Sequence, residues 1–216
     1  MPSGMILIVA NGAWDGDQRL RDLARQASFV IATDGAWARA VAAGVAADLV
    51  IGDLDSLTKD ERTALTTSTT EVRAFSPKKD ETDLELALDH ALSLQPSSVA
   101  LYGALGRRLD HSFANLHLLE QGVDKGISIR IFSECEVAWV VAGEDDLTGT
   151  QIGDRISLLP ISRSALVTTE GLRYPLHRER LYRNKTRGVS NEVVARPARI
   201  VVHEGRVLAI HASFSN

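Results

Sequence analysis

Asp34, Asp53, Asp55, Asp80, Asp83 and Asp110 each follow a short apolar run. Acids therefore gather where the strands of an open α/β sheet end, which is where such sheets bind ligands. In Gly52-Asp53-Leu54-Asp55-Ser56 two carboxylates stand at i and i+2. An extended backbone projects both to one side, and two such oxygens can share a Mg2+. Turn or cap chemistry explains that segment equally well by itself; the other acids shift the balance towards a metal. Lys79-Asp80-Glu81-Thr82-Asp83 opens a helix whose dipole already favours negative charge. Asp83 is the stronger ligand candidate there, against plain dipole stabilisation, and Lys79 is either a phosphate partner or a solvated charge. Residues 103–111 form a Gly-bearing loop between strand and helix. Its amides, Arg107 and Arg108 suit polyphosphate, with Asp110 facing metal. His111 reads as a hydrogen-bonding or surface group. No G-x-x-x-x-G-K-[ST], G-x-G-x-x-G, G-x-S-x-G, H-E-x-x-H or C-x-x-C occurs, so the familiar nucleotide fingerprints, acyl transfer, zinc proteolysis and thiol redox have no support.

The elements that must hold these residues are legible as period changes. Strands are expected at 5–10, 29–33, 49–51, 71–75, 98–102 and 127–132, separated by helix-period segments, the pattern of βαβ units. Leu84, Ala87, Leu88, Ala91 and Leu92 mark one helix with a single buried face, opened by a Thr82–Glu85 capping box. A second is expected over 110–120, burying Phe113, Leu116 and Leu119 and stopping at Gly122. After residue 134, short β-rich runs follow at 137–142, 155–159, 165–169, 189–195, 199–203 and 207–212. The expected fold is thus α/β. Residues 1–133 form a mainly parallel sheet with helices on both faces, and residues 134–216 a smaller antiparallel β-sandwich.

The chain has 216 residues, 24 basic and 28 acidic side chains and 44% hydrophobic residues. That composition excludes disorder, a collagen-like chain and a general nucleic-acid coat. Residues 1–162 carry a net charge of −10 and residues 163–216 one of +6, which suggests two regions with different work. Residues 173–187 hold six basic residues with Tyr174 and Tyr182 interleaved. A single-stranded nucleic-acid surface would need that pattern, but a solvated face is the stronger reading, and no nucleic-acid partner is expected. The single Cys135 excludes an internal disulfide and is expected as a small buried hydrophobe. With no basic leader and no window near the ~18 apolar residues of a membrane span, a cytoplasmic protein without membrane contact is expected.

Between Asn11 and Asn191 the ordered segments Asp34-Gly35, residues 52–56, the K-D-x-T-D run at 79–83, the loop ending at His111, Gly171-Leu172-Arg173-Tyr174-Pro175-Leu176 and Ser190-Asn191-Glu192 resemble the thiamin pyrophosphokinase family. The resemblance implies transfer of a diphosphate from ATP to the hydroxyl of thiamin, giving thiamin diphosphate and AMP. It also implies an ATP- and Mg2+-binding α/β domain, a β-sandwich contributing to thiamin binding, and a homodimer with its site between protomers. Carried over by position, Asp53, Asp55, Asp83 and Asp110 surround Mg2+ and the diphosphate. Lys79 and Arg108 meet phosphates, Asp34 and Gly35 meet the nucleotide, and Ser190 and Asn191 lie near thiamin. Tyr174 is a candidate aromatic wall for that cation. Two stretches depart from the family pattern: D-G-G-A-N-R reads Asp34-Gly35-Ala36-Trp37-Ala38-Arg39, and Leu105 and Arg107 stand where Thr and Gly are usual. The rival readings are a diphosphokinase for another hydroxymethyl heterocycle, such as a pterin, and a non-catalytic nucleotide- or nucleic-acid-binding protein.

Overall fold

The computed structural model describes residues 4–213, which divide into two compact units, one up to Glu134 and one from Cys135 on. In the first, the elements run β1 (Met5–Val9), α1 (Gln18–Gln26), β2 (Phe29–Thr33), α2 (Asp34–Ala42), β3 (Leu49–Gly52), α3 (Lys59–Thr67), β4 (Glu71–Ala74), α4 (Asp83–Ser93), β5 (Ser98–Tyr102), α5 (Leu109–Leu118), α6 (Glu120–Lys125) and β6 (Ser128–Phe132). Their strands lie side by side in the order β6-β5-β1-β2-β3-β4, each pair parallel. The chain winds outward from β1 to β4, then crosses back to place β5 on the other side of β1. This reversal leaves a crevice beyond the carboxyl ends of β1, β2 and β5, the switch point at which open α/β sheets bind ligands.

Alternation along the strands divides the core. Leu7, Val9, Val30, Ala32, Val50 and Ala100 pack in one cluster with Leu20 and Leu23 of α1, Ala36 and Trp37 of α2, and Leu65 of α3. The intervening Ile6, Ile8, Ile31, Ile51 and Leu101 are buried too, and α4 packs on β1, β2 and β3 through Leu84, Leu88 and Leu92. Strands covered on both faces carry continuous apolar runs, and these do. Only the edge strand β4 is exposed throughout.

The second unit contains β7 (Glu136–Val141), β8 (Glu144–Asp146), β9 (Arg155–Pro160), β10 (Ser164–Glu170), β11 (Glu179–Tyr182), β12 (Asn191–Glu192), β13 (Arg199–Glu204) and β14 (Val207–Ala212). β12-β9-β14-β7 run antiparallel, and β11-β10-β13-β8 form a separate antiparallel sheet. Period-two burial in β9 and β10 is the mark of half-covered strands.

Several local expectations are corrected. The run at 189–195 pairs as a strand only over Asn191–Glu192, because Ser190 takes φ 57° and breaks the extended backbone. Phe113 is 64% exposed and Leu116 only half-buried; the residue that α5 itself buries is Asn115, and Leu119 beyond it is buried as expected. Gly122 lies inside α6, and the left-handed C-cap is Gly126. Thr82 Oγ1 accepts from Glu85 N–H, half of the expected box; the reciprocal box forms at Thr58 and Glu61 of α3. Cys135 is exposed.

Candidate functional site

Asp34 is the first residue of α2, set directly on the end of β2, and is only 3% exposed. Its Oδ1 accepts from Gly35 N–H at 2.6 Å and its Oδ2 from Leu54 N–H at 2.8 Å. These bonds tie the end of β2 to the loop after β3. The approach requires Gly52, where a Cβ would stand 2.5 Å from the Asp34 Cγ. Burial is the main reason that the Asp34 carboxyl is pushed above its ordinary range.

The 53–56 segment is not extended. Leu54 is left-handed, at φ 63°, and Asp55 N–H donates to Asp53 Oδ1 at 3.1 Å. A turn therefore brings the two carboxylates together, where an i, i+2 relation in a strand was expected. Oxygens of Asp34, Asp53 and Asp55 all lie within 4.8 Å of one another. The N–H from Asp55 holds Asp53 low, whereas its shared hydrogen bond with Asp53 and the charges of Asp53, Asp34 and Asp83 raise Asp55. Among the described residues no basic side chain forms an ion pair with these three. Oxygen-only ligands bearing this much unpaired negative charge fit a hard divalent cation.

A cavity of about 430 Å3 opens over this group. Its lining includes Asn11 and Gly12 after β1, Asp34 and Gly35 after β2, Asp53, Asp55 and Ser56 after β3, Asp83 at the start of α4, and Arg107, Arg108 and His111 after β5. Lys79 and Asp110 are not in the lining; each is bonded to a residue that is. Lys79 Nζ donates to Asp83 Oδ1 at 2.5 Å. Arg108 Nε and Nη2 reach the Asp110 oxygens at 3.1 and 2.5 Å, which holds the Asp110 carboxyl down at about 2. The loop after β5 is itself fixed by backbone pairing, Gly12 N–H to Gly103 O and Ala13 N–H to Leu105 O, both 2.7 Å, and by Asn115 Nδ2 on Ala104 O at 2.6 Å.

Asn11, Ser56 and Asn115 were not singled out from sequence. Asn11 follows β1 as the acids follow their strands, so its place in the sequence carries the same strand-end signal. Asn115 lies mid-helix and carries no such signal.

In the second unit the two segments after residue 170 meet. Leu172 bridges Val193, and Arg173 N–H donates to Glu192 O at 2.8 Å. Asn191, 7% exposed, accepts from Tyr174 N–H at 3.0 Å through Oδ1 and donates to Tyr174 O at 2.8 Å through Nδ2. Its side chain is thus a clamp on the Tyr174 backbone, leaving the Tyr174 ring 67% exposed. Ser190 N–H is held by Ser157 Oγ at 3.0 Å. In the basic stretch, Arg173 pairs with Glu192, Arg180 with Glu204 and Arg187 with Glu179.

Family comparison places residues 20–131 in "Thiamin pyrophosphokinase, catalytic domain" and residues 146–207 in "Thiamin pyrophosphokinase, vitamin B1 binding domain". The thiamine pyrophosphokinase of Bacillus subtilis is 31% identical over 191 residues, 88% of this chain and 89% of that one. The crystal structure of a Bacillus subtilis thiamine pyrophosphokinase superposes with a TM-score of 0.88 at 28% identity, covering 98% of this chain and all of that one. That of the Geobacillus thermodenitrificans protein does so with a TM-score of 0.83 at 28% identity, covering 98% and 99%.

Proposed function

The chain belongs to the thiamin pyrophosphokinase family, and on that premise we propose how its own residues transfer a diphosphate from ATP to the hydroxyl of thiamin, giving thiamin diphosphate and AMP. The observation that carries the reading is the cavity at the strand ends, with three carboxylates on one side and the arginine-bearing loop also in its wall. Its volume falls in the range of small-molecule sites.

Asp34, Asp53 and Asp55 hold Mg2+, with Asp83 next to them in the cavity lining. Bound there, the cation supplies Lewis-acid stabilisation of the charge that builds on the phosphoryl oxygens. Arg108, Lys79 and the amides of the loop after β5 offset the rest of the polyphosphate charge. Asp110 keeps Arg108 oriented through its two hydrogen bonds, and Asp83 does the same for Lys79. Gly35 leaves room beside Asp34, since a Cβ there would meet the Asn11 side chain at 2.5 Å. Positioning of the attacking alcohol against the β-phosphorus supplies most of the rate.

The β-rich unit serves thiamin through Ser190, Asn191 and the exposed Tyr174 ring; the vitamin B1 binding family match spans all three. The Asn191 clamp fixes Tyr174 as a face for the cationic heterocycle. The working form is a homodimer, and α5 supports this by exposing Leu109 (86%) and Phe113 (64%) one turn apart. A cytoplasmic setting agrees with the single cysteine.

AMP formation from Mg·ATP, with and without thiamin and with EDTA as control, tests the reading. The expected result is thiamin-dependent, EDTA-sensitive AMP together with a product of the mass of thiamin diphosphate. Asp53→Asn is expected to fold and to lose turnover. AMP formed only with a pterin alcohol would overturn the substrate, and wild-type activity in Asp53→Asn would remove that carboxylate from the metal site.

A further inference from the structure

Arg107 is a non-glycine residue in the left-handed region, at φ 58°, directly after Gly106. A side chain crowds its own backbone there, so such a conformation persists only where the surroundings impose it. Here a tight turn imposes it: Arg108 N–H donates to Gly106 O at 2.7 Å, and Gly106 N–H is anchored on Ser112 Oγ at 2.9 Å. The turn sends the guanidinium across to the loop after β1, where Nη1 donates to Asn11 Oδ1 at 3.2 Å.

Asn11 is neutral, so this contact leaves the charge of Arg107 uncompensated. Among the described residues no ion pair includes Arg107, whereas its neighbour Arg108 is engaged with Asp110. Both arginines line the cavity that Asp34, Asp53, Asp55 and Asp83 also line. The site therefore holds a fork-shaped cation with a weak, exchangeable partner, next to carboxylates suited to the metal of a metal–polyphosphate complex.

We propose that Arg107 is a substrate-binding residue that gives up Asn11 and takes the polyphosphate of the nucleotide on its guanidinium. This rests on the ATP-dependent reading of the cavity. The competing role is structural, a tie between the loops after β1 and β5.

Arg107→Gly separates the two, because glycine accepts the same φ without crowding. Its melting temperature is expected at or above that of the wild type. Its affinity for Mg·ATP by titration calorimetry is expected to fall about tenfold or more, the usual scale for a charge-assisted contact. The KM for ATP should rise in step, with kcat changing much less and the KM for thiamin unmoved. Arg107→Lys, which keeps the charge without the fork, should fall between. Unchanged calorimetric affinity in Arg107→Gly would overturn the proposal. So would a loss of affinity accompanied by a lowered melting temperature in Arg107→Gly and a wild-type affinity in Arg107→Lys. Calorimetry needs no turnover, so the two readings fail separately: wild-type binding without AMP sinks the reaction, and equal binding by both proteins sinks the role of Arg107.

Discussion

Asp34 is a carboxylate that is almost wholly buried at the floor of the cavity, beside two others. Its raised pKa means that the folded state binds the proton more tightly than the unfolded chain does. The resulting stability is fully present below the unfolded pKa of about 4 and is lost as pH rises through the folded value. In EDTA, wild-type stability should therefore fall relative to Asp34→Asn as pH is raised from 4 to 7, read from urea melts. Saturating Mg2+ should reverse that trend, because the cation binds the ionised site. An increase relative to Asp34→Asn in EDTA would contradict the burial argument. Residue types at this scale are legible in the chain: Asp53, Asp55 and Asp83 follow strands, and the structure puts all three in the lining of one cavity. Their environments are not. Asp34 shares the strand-end position of the other acids and by resemblance meets the nucleotide; its packing against Asp53 and Asp55 is what the structure adds. Asp110 is expected to face metal from its place at the end of the loop after a strand, and what the structure adds is its neighbour: both its oxygens accept from Arg108.

The elements deliver these side chains through very short connections. β2 runs into α2 without an intervening residue, and the loop after β3 folds back on Asp34. Gly52→Ala should show how little slack remains. Its Cβ would collide with the Asp34 carboxylate, so activity should fall at least tenfold while stability drops by about 1–3 kcal/mol, as for other overpacked sites. Wild-type turnover would mean that the carboxylate can move aside. The strands and α4 were readable because burial imposes its period on the sequence. Phe113 misled because periodicity reports which residues share a face and not whether that face is covered. The turn at Leu54 was hidden for a related reason: i, i+2 spacing is common to a strand and to an Asx turn, and only the bond from Asp55 N–H distinguishes them.

For the whole molecule, the exposed Leu109 and Phe113 predict association of two copies. Light scattering should give twice the 23.4 kDa chain mass, and Leu109→Asp with Phe113→Asp should return the chain mass. A wild type at the single-chain mass would remove the dimer. The order of elements, the change from alternating βαβ texture to β-rich texture near residue 134, and the placing of acids after strands are all properties of the linear chain. Local periodicity and turn chemistry write them directly into it. The meeting of Asp34 with Asp53 and Asp55, the clamp of Asn191 on Tyr174 and the reach of Arg107 to Asn11 belong to the tertiary structure alone. Each joins residues 17 or more positions apart through a few ångströms of space, and strand order and close glycine packing, which residue spacing does not encode, decide which of them meet.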